Sequence, residues 1–348
     1  MKTQHSTESV MHLHGPEPLR KHGMWQPFRV GILALGLASS LLAGCTAKPQ
    51  VQATQSETER QLVLAHAEDT TSIALATLYQ QMLASVGVKA KLGEASANPV
   101  AEVLAGKADI VVAGSTNILA ELRKTPENAL SAASASPTPD ASGNSKNSAT
   151  QTTLSADQTM TELGTLNLGE YALLDSTEAH RNGILVTTAS TSAAKNLNNL
   201  AQLPEHCAEL EFGVPQALMP SLANELENSY ACVPARLVPV VAKDKSPVQD
   251  LITNHVQVLG TTDDTAAIID NGLVRLQDSE KLFGPQTLLP LITTNELGQD
   301  AIDAINKLSH ALKQEDLIAL NRAVTGRDSL PAESVAADWL LERNLVTK

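Results

Sequence analysis

The chain has 348 residues, 43% of them hydrophobic and 18% charged, with a formal net charge of −13 at pH 7. That length suits two lobes or domains, each with enough apolar material for a core, and the acidic balance repels phosphate backbones, which argues against nucleic acid as a partner. Aromatic residues make up 2%, and the three cysteines form no CxxC pair. Neither a site of many stacked rings nor a cysteine-type zinc centre is expected.

Arg20, Lys21 and Arg29 precede an apolar run from Val30 to Ala43. This run is shorter than the about 20 residues a helix needs to span a bilayer. A basic region, a short apolar run and then small residues read instead as a signal peptide over 1–44. Leu42-Ala43-Gly44-Cys45 resembles the lipobox of bacterial lipoproteins. The resemblance implies that Cys45 is diacylated and becomes the first residue of a chain anchored on the extracytoplasmic face of the membrane. Two acyl chains anchor stably where one is marginal. The alternative is an ordinary secretion signal with a chance cysteine. Residues 45–60 are largely polar, lack aromatic residues and read as a flexible tether. Outside the cytoplasm the remaining pair, Cys207 and Cys232, reads as a disulfide. A metal site would have to recruit His206 and His255 at a spacing that fits no usual ligand set, so no metal and no cofactor is expected.

From Gln61 the pattern alternates strands and helices. Gln61 to His66 is a short apolar strand. Leu75, Tyr79, Met82 and Val86 then fall on one helical face. Ala90 to Leu92 reads as a strand, and Asn98 caps a helix with Pro99 at its first position. Asp109 to Val112 is the next strand, and the βαβαβ order argues for a parallel, doubly wound sheet. Ser131 to Thr153 holds no Ile, Leu, Val, Met or aromatic residue. Such a stretch cannot offset its ordering entropy and reads as a disordered surface insertion, about 125–158 with its flanks. Strands are expected at Tyr171 to Leu174, Ile184 to Thr187, Glu209 to Val214, Arg236 to Val241 and Val256 to Leu259. Helices are expected between them at Ala193 to Leu203, Met219 to Tyr230 and Pro247 to Asn254. Leu273 to Leu276 and Thr287 to Thr293 precede three amphipathic helices, Gln299 to Leu312, Gln314 to Val324 and Pro331 to Leu341. Gly326 stands where a C-cap glycine would.

Short motifs lie along this order. Ala67-Glu68-Asp69-Thr70-Thr71-Ser72 forms the first loop, and Gly106-Lys107-Ala108-Asp109-Ile110 enters a strand followed by Ala113-Gly114-Ser115-Thr116-Asn117. Further on come Leu173 to Ala179 with Asn182, then Leu197-Asn198-Asn199-Leu200 and Gly260-Thr261-Thr262-Asp263. Leu273 to Asp278 leads into Phe283-Gly284-Pro285 and Pro290. Taken in order, they resemble the glycine betaine, choline and osmoprotectant binding family, type II substrate-binding proteins of ABC importers. The resemblance runs from about residue 61 to 345 apart from the insertion. It implies an α/β fold of two lobes, each a doubly wound sheet, with a ligand cleft between them. Lobe 1 would hold 61–181 and 258–348, and lobe 2 would hold 182–257. It also implies a small-molecule solute, an ABC permease with its ATPase as partners, and a monomer with no catalytic residues.

In such two-lobed receptors the strands that cross between lobes form the floor of the cleft. The ligand-binding set is therefore expected to be Glu68, Asp69 and Thr70 from the first loop, and Ser115, Thr116 and Asn117 from the second. His180, Arg181 and Asn182 come from one crossover, Thr262 and Asp263 from the other, and Gln286 and Thr287 from the turn after Phe283. Truncating Asp69 or Arg181 is expected to leave the fold intact while removing a charge-assisted contact. Glu68-Asp69-Thr70 reads equally well as a helix N-cap. The family commonly holds a quaternary ammonium group in an aromatic cage. Here only Tyr79, Tyr171, Phe212, Tyr230, Phe283 and Trp339 remain after the signal peptide, and Gln286 stands where the family has a tyrosine. The mixed polar set suits a zwitterionic solute. Two other classes stay open. One is an envelope lipoprotein of the same fold acting as an interaction or regulatory module without a transported ligand. The other is an extracytoplasmic enzyme, for which no GxSxG, HExxH or P-loop motif is present.

The lipobox yields a direct test. Cys45→Ala should abolish lipid modification and either release the protein from membranes or leave it unprocessed, as read by fractionation and fatty-acid labelling. A variant still lipidated and membrane-bound would refute the reading.

Overall fold

The computed structural model describes residues 60–129, 154–215, 219–240 and 247–347. The signal peptide, Cys45, the tether as far as residue 59 and the centre of the expected insertion lie outside the described residues.

The first lobe opens with β1 (Leu62–His66), α1 (Thr70–Ser85), β2 (Ala90–Ala95), α2 (Pro99–Leu104), β3 (Ile110–Gly114) and α3 (Ser115–Leu122). β1 runs parallel to both β2 and β3, as the alternating pattern predicts. After α4 (Ala156–Leu163) and β4 (Tyr171–Leu173) the chain leaves this lobe. It returns with β10 (Leu288–Thr293), which lies antiparallel between β3 and β4. The sheet order is β2-β1-β3-β10-β4, so the sheet is mixed rather than wholly parallel. Side chains alternate across it. Leu62, Leu64 and Ile110 join the core under α1 and the C-terminal helices, whereas Ala65 and Val111 face α2 and α3.

The second lobe holds β5 (Gly183–Thr187), α5 (Ala189–Lys195), β6 (Glu211–Pro215), α6 (Met219–Tyr230), β7 (Arg236–Val240), α7 (Pro247–Ile252), β8 (Val258–Thr262), α8 (Ala267–Asp270) and β9 (Val274–Arg275). Its sheet order is β7-β6-β8-β5-β9. β6 is parallel to β7 and β8, and β5 is antiparallel to β8 and β9. Here too the sheet carries a core on each face. One is built around Phe212, Leu222 and Leu226, the other around Val186, Leu251 and Leu259.

Several boundaries differ from the sequence reading, each for a physical reason. The expected return to the first lobe at residue 258 comes too early. β8 pairs along its length with β5, and Leu276, Leu282 and Phe283 still pack in the second core. The return crossing is at Gly284–Thr287. Residues 125–129 and 154–158, assigned to the insertion, are folded parts of the first lobe. The Asn128 side chain donates to Leu122 O and Asn167 O and accepts from Asn167 N, which closes the two flanks on each other. Residues 130–153 lie outside the described residues. The helix expected over Ala193 to Leu203 divides at Asn196, whose φ of 48° ends α5, and a 3₁₀ segment follows at Leu200–Glu205. Val86, which the helical period aligns with Leu75, Tyr79 and Met82, is the C-cap of α1 and is 41% exposed. α1 itself is enclosed nearly all round, by the sheet on one side and by α9 (Gln299–Ala311), α10 (Gln314–Thr325) and α11 (Ala332–Glu342) on the other. Gly326 caps α10 as expected.

Cys207 and Cys232 are bonded, with Cα atoms 5.4 Å apart, and both are buried in the second core. The bond ties the segment entering β6 to the segment leaving α6. The Cys207→Ser, Cys232→Ser double variant should lose about 3 kcal/mol of stability in the chain-entropy account of a loop this size. The loss should appear in urea unfolding as a lower midpoint. Thiol labelling of the wild-type protein should require both denaturant and reductant.

Candidate functional site

Between the two sheets lies a cavity of about 820 Å³ whose walls come from both lobes. The first lobe contributes the loop after β1 and the end of β3. The second contributes Pro215 of β6, Leu222 and Glu225 of α6, and Thr261 and Thr262 of β8. The loop after β1 is shaped by a helix start. Asp69 is the N-cap of α1: its Oδ1 accepts from Ser72 N at 3.0 Å and its Oδ2 from Ser72 Oγ at 2.6 Å.

Arg181 rises from the first crossover into this arrangement. Its Nη2 donates to Asp69 Oδ1 at 3.0 Å, its Nη1 to Ser72 Oγ at 2.8 Å and its Nε to Asp264 Oδ2 at 3.1 Å. The Arg181 side chain is 20% exposed and that of Asp264 0%. Burial alone would raise the Asp69 carboxyl, but the Arg181 charge and the Ser72 hydrogen bonds outweigh it and hold the group below its ordinary value. Burial likewise opposes the charge on Arg181. The two carboxylates overcome that penalty and raise its pKa, so the guanidinium stays charged.

A second network pins the crossovers to each other. Asp263 accepts from Asn182 N and Asn182 Nδ2, both at 3.0 Å. Asn182 Oδ1 accepts from Gln286 N at 2.8 Å, and Arg181 N donates to Gln286 O at 3.0 Å. His180 Nδ1 lies 2.9 Å from both Asp263 Oδ2 and Asn182 Nδ2. When protonated it donates to the carboxylate; with the proton on Nε2 it accepts from the amide. The hydrogen bond to Asp263 is the main reason the His180 pKa is raised, against a smaller desolvation effect.

Of the thirteen residues expected at the cleft, Asp69, Thr70, Asn117, Arg181, Thr262 and Gln286 line the cavity. The others lie nearby without lining it. Ser115 is fully buried, and its hydroxyl and that of Thr116 both donate to Pro285 O. His180, Asn182 and Asp263 hold the crossovers together, and Thr287 accepts from Ser115 N through its backbone. Glu68 faces solvent. The sequence reading missed Ser72, Asp264, Glu225 and Phe283. Ser72 stands three residues after the N-cap, the spacing of a reciprocal cap, and is the one with a visible signal. Among the described residues no group of His, Cys, Asp and Glu could hold a metal ion. Nor is any helix among them long and apolar enough to cross a membrane.

Residues 60–342 match the family model described as the substrate binding domain of ABC-type glycine betaine transport system. The chain belongs to this family. It is a solute-binding protein of the ABC-importer type, and the family is one of binding proteins rather than enzymes. Solved structures similar to it include a glycine betaine/carnitine/choline ABC transporter protein, at 16% identity and a TM-score of 0.60, with 83% of this chain and 99% of that one covered. Apo YehZ from Escherichia coli matches at 16% identity and a TM-score of 0.55, covering 82% and 99% of the two chains. Lactococcal OpuAC, closed and complexed with glycine betaine, matches at 14% identity and a TM-score of 0.55, covering 82% and 96%. No curated protein sequence matches. These likenesses share one architecture, that of the type II periplasmic-binding proteins, as the order of motifs implied.

The geometry overturns one expectation, that Arg181 can be truncated without harm to the fold. Arg181→Met leaves Asp264 buried without its counter-charge, and such removals cost about 3–5 kcal/mol. Arg181→Lys should recover little of this, because one ammonium cannot reach three partners set around a planar fork. Chemical denaturation of both variants checks this. His180 adds a pH dependence. Its folded pKa is raised, so the stability it contributes should be fully present below its unfolded value, about 6.5, and be lost as pH rises through the folded value. His180→Gln should remove that component from a plot of unfolding midpoint against pH.

Proposed function

We propose that this is an extracytoplasmic lipoprotein, anchored through Cys45, that binds a small zwitterionic or cationic amine between its lobes. It delivers this solute as a monomer to an ABC permease driven by its ATPase. Glycine betaine and choline, the compounds in the names of the proteins it resembles, belong to that chemical class. The observation carrying the proposal is that carboxylates from both lobes, Asp69 and Glu225, line one cavity together with the Arg181 guanidinium. A solute held there contacts both lobes at once, and its binding energy then favours the closed arrangement. Asp69, Thr70, Asn117, Arg181, Thr262 and Gln286 are the proposed contacts. Arg181 has five N–H donors, three of them engaged by the protein, which leaves two for a carboxylate or hydroxyl on the solute.

Thermal unfolding of the full chain in detergent, with a panel of betaines, choline, carnitine and small amines, tests the proposal. A cognate solute at a hundred times its Kd should add about 2.7 kcal/mol of stability. Thr262→Ala should weaken that solute without altering the unliganded melting temperature. A panel without any stabilising compound would count against solute binding.

A further inference from the structure

The family name points to trimethylated ammonium ligands, which need aromatic faces. A quaternary nitrogen has no N–H to donate, and its diffuse charge is best received by ring quadrupoles. All six aromatic residues outside the N-terminal segment are described, and five are committed elsewhere. Tyr79 is buried beneath the C-terminal helices with its hydroxyl on Ser309. The Tyr171 hydroxyl donates to Leu104 O and the Tyr230 hydroxyl to Asp278. Phe212 and Trp339 sit in the cores of the two lobes. Phe283 alone lines the cavity, and its ring packs closely on the crossover: a Cβ on Gly183 would come within 2.6 Å of two of its ring carbons. One ring is not a cage.

What the cavity does present is carboxylate. Its described charged lining is Asp69, Arg181, Glu225, Asp270 and Arg322. Both cations are engaged by protein partners, Arg181 as above and Arg322 through a two-pronged pair with Asp270 at 2.8 and 3.0 Å. Glu225 has no hydrogen-bond or ion-pair partner among the described residues. Its side chain is exposed to solvent, and partial desolvation together with the nearby charge of Asp278 pushes its carboxyl up. We infer that the cleft selects an amine that carries N–H donors, a primary ammonium or guanidinium group, over its trimethylated counterpart, and that Glu225 is the determinant. The inference rests on the solute-binding reading and narrows it. An N–H group gives Glu225 a charge-assisted hydrogen bond, whereas a trimethylated nitrogen offers it only a long, screened Coulomb contact.

Calorimetric titration of the full chain in detergent with matched pairs tests this. Suitable pairs are ethanolamine and choline, glycine and glycine betaine, and 1,4-diaminobutane and its bis-trimethylammonium analogue. In every pair that binds, the unmethylated member is expected to bind at least tenfold tighter. Glu225→Gln should bring that ratio toward one without lowering the melting temperature of the unliganded protein, because it removes a carboxylate that Asp278 repels. Equal or tighter binding of the trimethylated members overturns the inference and leaves the solute-binding reading standing. A preference for N–H donors that survives Glu225→Gln overturns the role given to Glu225. Failure of all six compounds to bind counts against the solute-binding reading itself, and the inference falls with it.

Discussion

One guanidinium joins the parts on which the cleft depends. Arg181 stands on the first crossover, touches the helix start of the first lobe through Asp69 and Ser72, and touches the segment after β8 through Asp264. A buried arginine cannot shed its charge, so it holds its carboxylates in place as firmly as they hold it. Asp69 is held from a second side by the Ser72 amide and hydroxyl. The capping of α1 and the floor of the cavity therefore share one hydrogen-bonded network, and the Arg181 amide, bonded to Gln286 O, sets it beside the second network that pins the crossovers.

Around this network the two lobes are built by one rule and differ in detail. Each sheet is covered on both faces, which is why β1, β3 and β10 read as near-continuous apolar runs. Each places its cavity-lining loops at the same end as the crossovers. The return segment Gly284–Thr287 fits against the first lobe through carbonyls and small residues. Pro285 O receives the Ser115 and Thr116 hydroxyls, and the Gln286 side chain lies where a Cβ on Gly114 would stand. A side chain at residue 114 would displace Gln286 from its place between Asn117 and the crossover.

Much of the fold was legible because it depends on local chemistry. Asn98 followed by Pro99 announces a helix start, and the structure has the Asn98 side chain accepting from Ala101 N. Met219–Tyr230 shows its period plainly. Asp69 was legible both as a cap and as a cleft residue, and it is in both places. The reading was weaker where one residue's neighbours come from far along the chain. The return crossing was misplaced because Val258–Thr262 has the same apolar pattern in either sheet, and only pairing with β5 assigns it. His180, Asn182 and Asp263 were recognised as polar residues at crossovers, but no spacing indicates that they satisfy one another.

Taken alone, the sequence determined the alternation of strands and helices, the helix caps, the cysteine pair and the shortage of aromatic rings. These follow from periodicity, side-chain shape and composition, which need no knowledge of distant neighbours. Only the tertiary structure decided which polar side chains are already paired and which still face the cavity. Arg181, Asp264 and Glu225 look alike in the chain as single charged residues. Arg181 meets partners 112 and 83 positions away and Glu225 meets none among the described residues. A charge reads as structural or as available only when its surroundings are known, because burial and pairing, not residue type, set its energy.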